Sequence, residues 1–426
     1  MADKKRASER PDSEIGIGLS REDELLVHCA RLALFQERRK VVKYLLAEGL
    51  DWDLLLDRAA WHRLSPLVSH HLRTPDLSVF VPRLVLEKLK RLNYQSLARN
   101  MLLQDELSKL LAAFNEAGLP VIVLKGVALL GSIYRDIGLR PMSDLDVLVQ
   151  PEHLDRAKAI ALCQGYAPIV ERVVQEHDTV NRRHLPNLIH HERGIVLEVH
   201  QHIVDSDSAY HFNLNGFWNR AQPVTIPGNS ALMLAPEDIL IHLSIKFLLD
   251  RRYSSKSALG QLCDISEVLL QYSDSLNWNL IEEVSQEYGI APGLHFVFYA
   301  CEQLLGSQVP TGILARLKPL EFNPSLAKLF LRRRVLSTKP WLAHELVAFG
   351  STYTLRRAIR AALGRLLPTQ KHIFRKNGLR EYPNHLYLKR VTEQLKRVSR
   401  ATLRPSELKE DLLLDRWLHD LYSSAT

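Results

Sequence analysis

Cysteine is scarce in this 426-residue chain, and the four present, Cys29, Cys163, Cys263 and Cys301, are far apart with no CxxC pairing. That spacing supports neither a disulfide framework nor a zinc cluster; it fits a reducing cytoplasm, with the thiols expected as small buried apolar residues. No apolar run approaches the roughly 20 residues needed to cross a bilayer. The opening stretch, MADKKRASERPDSE, lacks the apolar segment of a secretory signal, so a cytoplasmic location is expected. GxxxxGK[ST] and GxGxxG are both absent, which disfavours P-loop and dinucleotide-binding chemistry. There is no G-x-S-x-G elbow to support a Ser/His/Asp hydrolase and no HExxH helix motif for a zinc enzyme.

Acidic residues are thin in one region. From Lys328 to Arg404 the only ones are Glu345, Glu381 and Glu393, against many Lys and Arg, in a chain of net charge +8. Arg356 and Arg360 fall on one helical row, and Lys389, Lys396 and Arg397 lie near one another on a second amphipathic segment. A one-signed field of this kind points to an anionic partner, RNA or a lipid surface; a solvated helix face is the competing reading.

What remains is ordinary globular composition, 46% hydrophobic and 24% charged, in a chain too long for one core. Residues 1–20 read as a disordered tail. Residues 21–117 read as a helical unit, with periodic apolar positions over Glu22–Ala47, a helix opened by Asp51 in DWDLLLDRAAWHRLSPLVSHHL, and a long helix from Pro82 to Gly118. At Val121 the pattern changes. PVIVL, DLDVLV and IVLEVHQHI read as strands and PVTIPG as an edge strand, which makes residues 118–228 a mixed-sheet core. Helical periodicity returns over 229–312 and a basic helical region over 313–426. The fold class expected is α+β, a small mixed sheet flanked by helical units.

The chemistry concentrates in Ser143-Asp144-Leu145-Asp146-Val147-Leu148. Side chains alternate along a strand, so Asp144 and Asp146 share one face. Two carboxylates held that close repel unless a cation lies between them. Glu198 interrupts the apolar run IVLEV, where it is either a costly buried charge or a third ligand. Oxygen donors of this kind suit Mg2+, or Mn2+ in its place, and Asp144, Asp146 and Glu198 are the expected metal and catalytic residues. Lys125 and Gly126 stand where a strand gives way to a helix, a place where free N–H groups and a close backbone favour a phosphate. Arg140 offers a planar fork, and Ser143 a hydroxyl beside the first Asp.

The string VLKGVALLGSIYRDIGLRPMSDLDVLV resembles the signature of an uncharacterised nucleotidyltransferase family within the polymerase-beta-like superfamily: a KG, an aromatic-bearing helix, an R-x-x-x-D-x-D stretch and a later E-V-H strand, here Glu198 and His200. Weaker similarity runs through DWDLLLDRAAWHRLSPL, APEDILIHL, CDISEVLLQY and NWNLIEEVSQEYGI, so that it spans roughly residues 22–310. Better-known superfamily members carry Gly-Ser where this chain has Lys125-Gly126. The resemblance implies nucleotide transfer, an NMP passing from an NTP to a hydroxyl acceptor with release of pyrophosphate; Lys125, Gly126, Arg140 and Ser143 are expected, from their own positions, to hold the phosphates. It supplies no acceptor. Two other readings stay open: a nucleotide-binding adaptor that has the fold without the catalysis, and a zinc site on Glu198, His200 and His202.

Overall fold

The computed structural model describes residues 15, 17–169, 183–204, 212–251, 256–337, 413, 414 and 417. The chain divides into two units, and residues 252–254 and 339–420 form the second, almost all of it outside the described residues; the architecture below is that of the first unit. The basic segments carrying Arg356, Arg360, Lys389, Lys396 and Arg397 lie outside the described residues, as do most of residues 1–20.

The N-terminal part is helical: α1 (Arg21–Cys29), α2 (Gln36–Ala47), α3 (Trp52–Trp61), α4 (Ser65–Leu72), a single turn α5 (Pro75–Ser78) and the 34-residue α6 (Arg83–Glu116). Asp51 caps α3 by accepting from the Leu54 N–H at 3.0 Å. α6 stops at Gly118, whose φ of +63° a side chain would resist.

Two stretches that periodicity reads as continuous helices are each broken. Between α1 and α2 the Leu32 N–H donates to Glu267 Oε1 at 3.1 Å instead of to the preceding turn, and Arg31 Nε donates to the same oxygen at 2.7 Å. Between α3 and α4 the cause is Pro66. It has no N–H, and within a continuous helix its ring would strike the carbonyl of His62, so the chain turns over His62–Leu64 and restarts with the proline in the first turn.

Seven strands then form one mixed sheet: β1 (Ile122–Val123), β2 (Asp144–Leu148), β3 (Tyr166–Pro168), β4 (Leu188–His190), β5 (Val196–His200), β6 (Gln222–Ile226) and β7 (Asn229–Met233), in the order β3-β4-β5-β2-β1-β7-β6. β6 lies at an edge, where Pro223 costs no ladder bond. Strands β3, β4 and β7 carry no clear alternation and are not foreseen by pattern. Between them run α7 (Lys125–Ser132), α8 (Leu154–Cys163) and α9 (Asn215–Arg220); after them come α10 (Pro236–Arg251), α11 (Ala258–Gln271), α12 (Trp278–Glu287), α13 (Ala291–Leu305), α14 (Thr311–Leu317) and α15 (Pro324–Phe330).

At the centre β2 and β5 run parallel in register, with Asp146 beside Glu198 and Leu148 beside His200. Leu145, Val147, Leu197 and Val199 are fully buried on one face. Asp146, Glu198 and His200 therefore share the other. Three of the four cysteines are buried as expected, but Cys163, the last residue of α8, is exposed. No helix among the described residues is long and apolar enough to cross a membrane.

Three imidazoles, His28, His62 and His71, are buried in the helical part. Burial and then the Arg38 charge hold His28 down to about 3, and burial holds His71 down to about 4 against its bond to the Arg31 carbonyl. Both folded values lie below the unfolded one, so the unfolded chain binds more protons as pH falls from about 6.5 towards 4, and stability falls with it. The melting temperature is therefore expected to drop between pH 7 and pH 5, His28 and His71 each contributing up to about 1.4 kcal/mol per pH unit. In His28→Leu the drop over the same range should be smaller.

Candidate functional site

Asp146 is nearly fully buried, and burying a lone carboxylate is costly. The cation that offsets it is Lys125. Its Nζ donates to Asp146 Oδ1 at 2.5 Å and to Glu198 Oε2 at 3.4 Å, and lies 3.5 Å from His200 Nε2. His200 Nε2 is itself 2.9 Å from Asp146 Oδ1, and Asn187 Nδ2 donates to Glu198 Oε1 at 3.2 Å. Burial would lift the Asp146 carboxyl, but Lys125 and His200 overcome it and hold the group well below the usual range. Glu198 is likewise held down to about 2 against burial, by His200 and Lys125. Burial would also lower the Lys125 ammonium; Asp146 and Glu198 outweigh it and keep the group above its ordinary value. Lys125 reaches this position with φ of +50°, a left-handed conformation unusual for a residue with a side chain.

Asp144 occupies the mouth of the cluster. It is half-buried, accepts from Ser143 Oγ at 3.0 Å, and is pushed upward by burial and then by the charges of Asp146 and Glu198. Two arginines of the helical part reach Ser143: Arg63 Nη2 donates to its Oγ at 3.1 Å, and Arg99 Nη2 to its carbonyl at 3.2 Å and to that of Gly194 at 3.3 Å. Asn100 of α6 holds the approach to β2, donating to the carbonyls of Ile137 and Arg140 at 2.5 and 2.7 Å and accepting from the Met142 N–H at 3.2 Å.

Arg140 does not point to the carboxylates. Its fork grips Asp264 of α11, Nε to Oδ1 at 2.8 Å and Nη2 to Oδ2 at 2.7 Å, and the Tyr134 hydroxyl donates to the same Oδ1 at 2.7 Å. Gly126 has no side chain because that space is taken: a Cβ there would lie 2.5 Å from Arg140 Nη1 and 2.6 Å from Met142 Sδ. The pair Lys125-Gly126 is thus divided, one residue serving the carboxylates and the other the packing of Arg140. His202 lies past the end of β5, outside the cluster, while the rings of His184 and His200 meet edge to face at 5.2 Å.

His242 of α10 lines one small cavity together with Lys125, a neighbour that the strand pattern alone does not mark. His242 and Lys246 follow one another by a helical turn, and Lys246 Nζ bonds Asp250 Oδ1 at 2.5 Å. Burial, then the positive field of Lys125 and His200, keeps His242 well below its usual value. The sequence signals for these residues are their i, i+4 spacing and, for His242, its place in the stretch APEDILIHL.

A family model described as "Uncharacterised nucleotidyltransferase" matches residues 48–306. The chain belongs to this nucleotidyltransferase family. No curated protein matches it, and no solved structure does. The match begins just before α3 and ends just past α13, so the family unit includes the turn bearing Arg63 and the helix bearing Asp264 as well as the sheet.

Nucleotidyl transfer commonly uses a divalent ion. The residues fit one: ligand atoms of Asp146, Glu198 and His200 all lie within 4.8 Å of one another. Two carboxylates and an imidazole suit Mn2+ and other transition ions as well as Mg2+. Asp144 is not in this close group; it adjoins it along β2.

Removing the ammonium leaves two carboxylates uncompensated. Lys125→Met is expected to lose about 3–5 kcal/mol, the effect of breaking a buried ion pair. Added Mn2+ should raise the melting temperature of Lys125→Met more than that of the wild type, measured by thermal unfolding across a Mn2+ series.

Proposed function

We propose that this chain moves an NMP from an NTP to a hydroxyl acceptor, with a divalent ion held by Asp146 and Glu198, His200 completing the set and Asp144 at its edge. The observation that carries the reading is the in-register pairing of Asp146 with Glu198 on one sheet face, beside a half-exposed third carboxylate. When bound, the ion would supply positive charge to the phosphoryl oxygens. Glu198 has both oxygens occupied, by Asn187 on one and by Lys125 on the other, so it is fixed as a ligand. Asp144 has only the Ser143 hydroxyl among its described hydrogen bonds. It is the carboxylate open to an incoming hydroxyl and the better candidate to accept its proton. The helical walls exclude water from the inner carboxylate, which strengthens every charge interaction there. The free thiols fit a reducing compartment such as the cytoplasm.

The self-neutralised cluster supports a second reading, a protein that binds nucleotide without transferring it, because Lys125 already satisfies Asp146 and Glu198. One experiment separates them: pyrophosphate release with each of the four NTPs, with and without cell extract as a source of acceptor. Transfer predicts metal-dependent release with at least one NTP; binding alone predicts metal-dependent NTP affinity with none. Asp144→Asn tests the site itself. Since burial and neighbouring anions disfavour its charge, the variant should keep or raise the melting temperature while release is lost; full activity in Asp144→Asn would exclude the assignment.

A further inference from the structure

Among the described residues only three other than glycine have positive φ: Arg63 at +59°, Lys125 at +50° and Ser257 at +62°. They come from three distant parts of the sequence, yet they act at one place. Lys125 reaches Asp146, Arg63 reaches Ser143 beside Asp144, and the Ser257 N–H donates to the Trp61 carbonyl at 3.0 Å, bracing the turn that carries Arg63. Backbone conformations of this kind are strained for a residue with a side chain and persist where the surroundings dictate them. Here the surroundings do so. Pro66 forces the turn, Ser257 holds one carbonyl of it, and Gly260 makes room for the next: a Cβ at Gly260 would lie 2.5 Å from the His62 carbonyl oxygen.

The backbone of the turn is clamped while the Arg63 side chain is exposed. Its charge is also unspent. Arg140 is chelated by Asp264 and Arg99 rests on two carbonyls, whereas Arg63 makes one bond to a neutral hydroxyl and no ion pair with a described residue. A guanidinium has five donors in a fixed fork that matches two phosphate oxygens. It lies beside Ser143, whose hydroxyl bonds the outer carboxylate Asp144.

We propose that Arg63 is a binding residue for the terminal phosphates of the triphosphate, delivered to the sheet by the turn between α3 and α4. This rests on the reading that a triphosphate docks at this site. In the transfer, the acceptor oxygen forms its bond to the α-phosphorus as the bond from that phosphorus to the bridging oxygen breaks. The acceptor's proton passes to Asp144, and pyrophosphate leaves with the bonding electron pair; Arg63 binds the charge that gathers on it.

The test uses the full chain, with inorganic tripolyphosphate as probe and Mn2+ fixed, followed by calorimetry. Arg63→Gly removes the fork and also accepts a φ of +59° without strain, so a merely structural arginine and a binding one give opposite signatures. The expected result is tripolyphosphate affinity lower by at least about tenfold, the effect of a charge-assisted bond. The melting temperature should be equal or higher and Mn2+ affinity unchanged. Arg63→Lys should recover part of the loss, because a point charge lacks the fork. Tripolyphosphate binding in Arg63→Gly within about twofold of wild type overturns the role of Arg63 and leaves the metal site standing. A loss of affinity matched by loss of melting temperature and of Mn2+ binding overturns it too, in favour of a structural turn. Wild-type protein that binds Mn2+ but no tripolyphosphate removes the triphosphate reading and this proposal together.

Discussion

Two carboxylates on neighbouring central strands cannot both remain charged in a dry interior without a cation, and the rest of this structure is arranged around that constraint. Lys125 supplies the cation. To bring it there the chain leaves β1, takes a left-handed step at Lys125 itself and enters α7, while the Leu124 N–H stays tied to the Asp146 carbonyl at 3.0 Å. Strand and lysine are therefore registered against each other by the backbone as well as by charge. His200 and Asn187 occupy the remaining sides of the two carboxylates, which explains why a cluster so rich in charge is tolerated beside four fully buried aliphatic side chains on the reverse of the same strands.

Around this centre the other strong polar contacts serve position. Arg140 and Tyr134 converge on Asp264 and fix α11 to the segment leading into β2; Asn100 fixes α6 to the same segment. The approach to the DxD strand is thereby gripped by two helices that share no sequence proximity. Glu267, one turn after Asp264, binds Arg31 and the Leu32 N–H and so also settles where α1 ends.

Much of the centre was legible in the sequence for a simple reason: β-strand alternation is a local rule. Asp144 and Asp146 two residues apart, and Glu198 within an apolar run, declare a shared face without knowledge of any partner. The same rule fails for contacts made across the fold. Arg140 reads as a phosphate fork until Asp264, 124 residues later, is seen in its grip. Gly126 reads as room for a ligand, yet its room is filled by Arg140 and Met142. Arg63 lies in a stretch whose periodicity reads as helix, and His242 on a helix whose relation to the sheet no pattern reveals. Helix breaks at Leu32 and Pro66 show the same limit, since one is caused by a distant glutamate and only the other by a residue in place. Strands β3 and β4 have three residues each, too few to show the alternation that marks β2 and β5, and β7 is held by pairing on both sides, to β1 and β6.

The reach of the Arg140–Asp264 pair and of the His62–Gly260 contact has a bearing on synthesis. Local helices can form as the chain is made, but contacts spanning 124 residues or more must wait for their later partner. Until Ser257 has emerged the Arg63 turn has no brace, and until α11 has emerged Arg140 has no carboxylate to hold it. A nascent chain can therefore pair β2 with β5, and bring the carboxylates together, before the residues that organise the rim are available. The same order means that a proteolytic or prematurely ended fragment stopping before residue 257 would retain the carboxylates and lose both the Ser257 brace of the Arg63 turn and the Asp264 partner of Arg140.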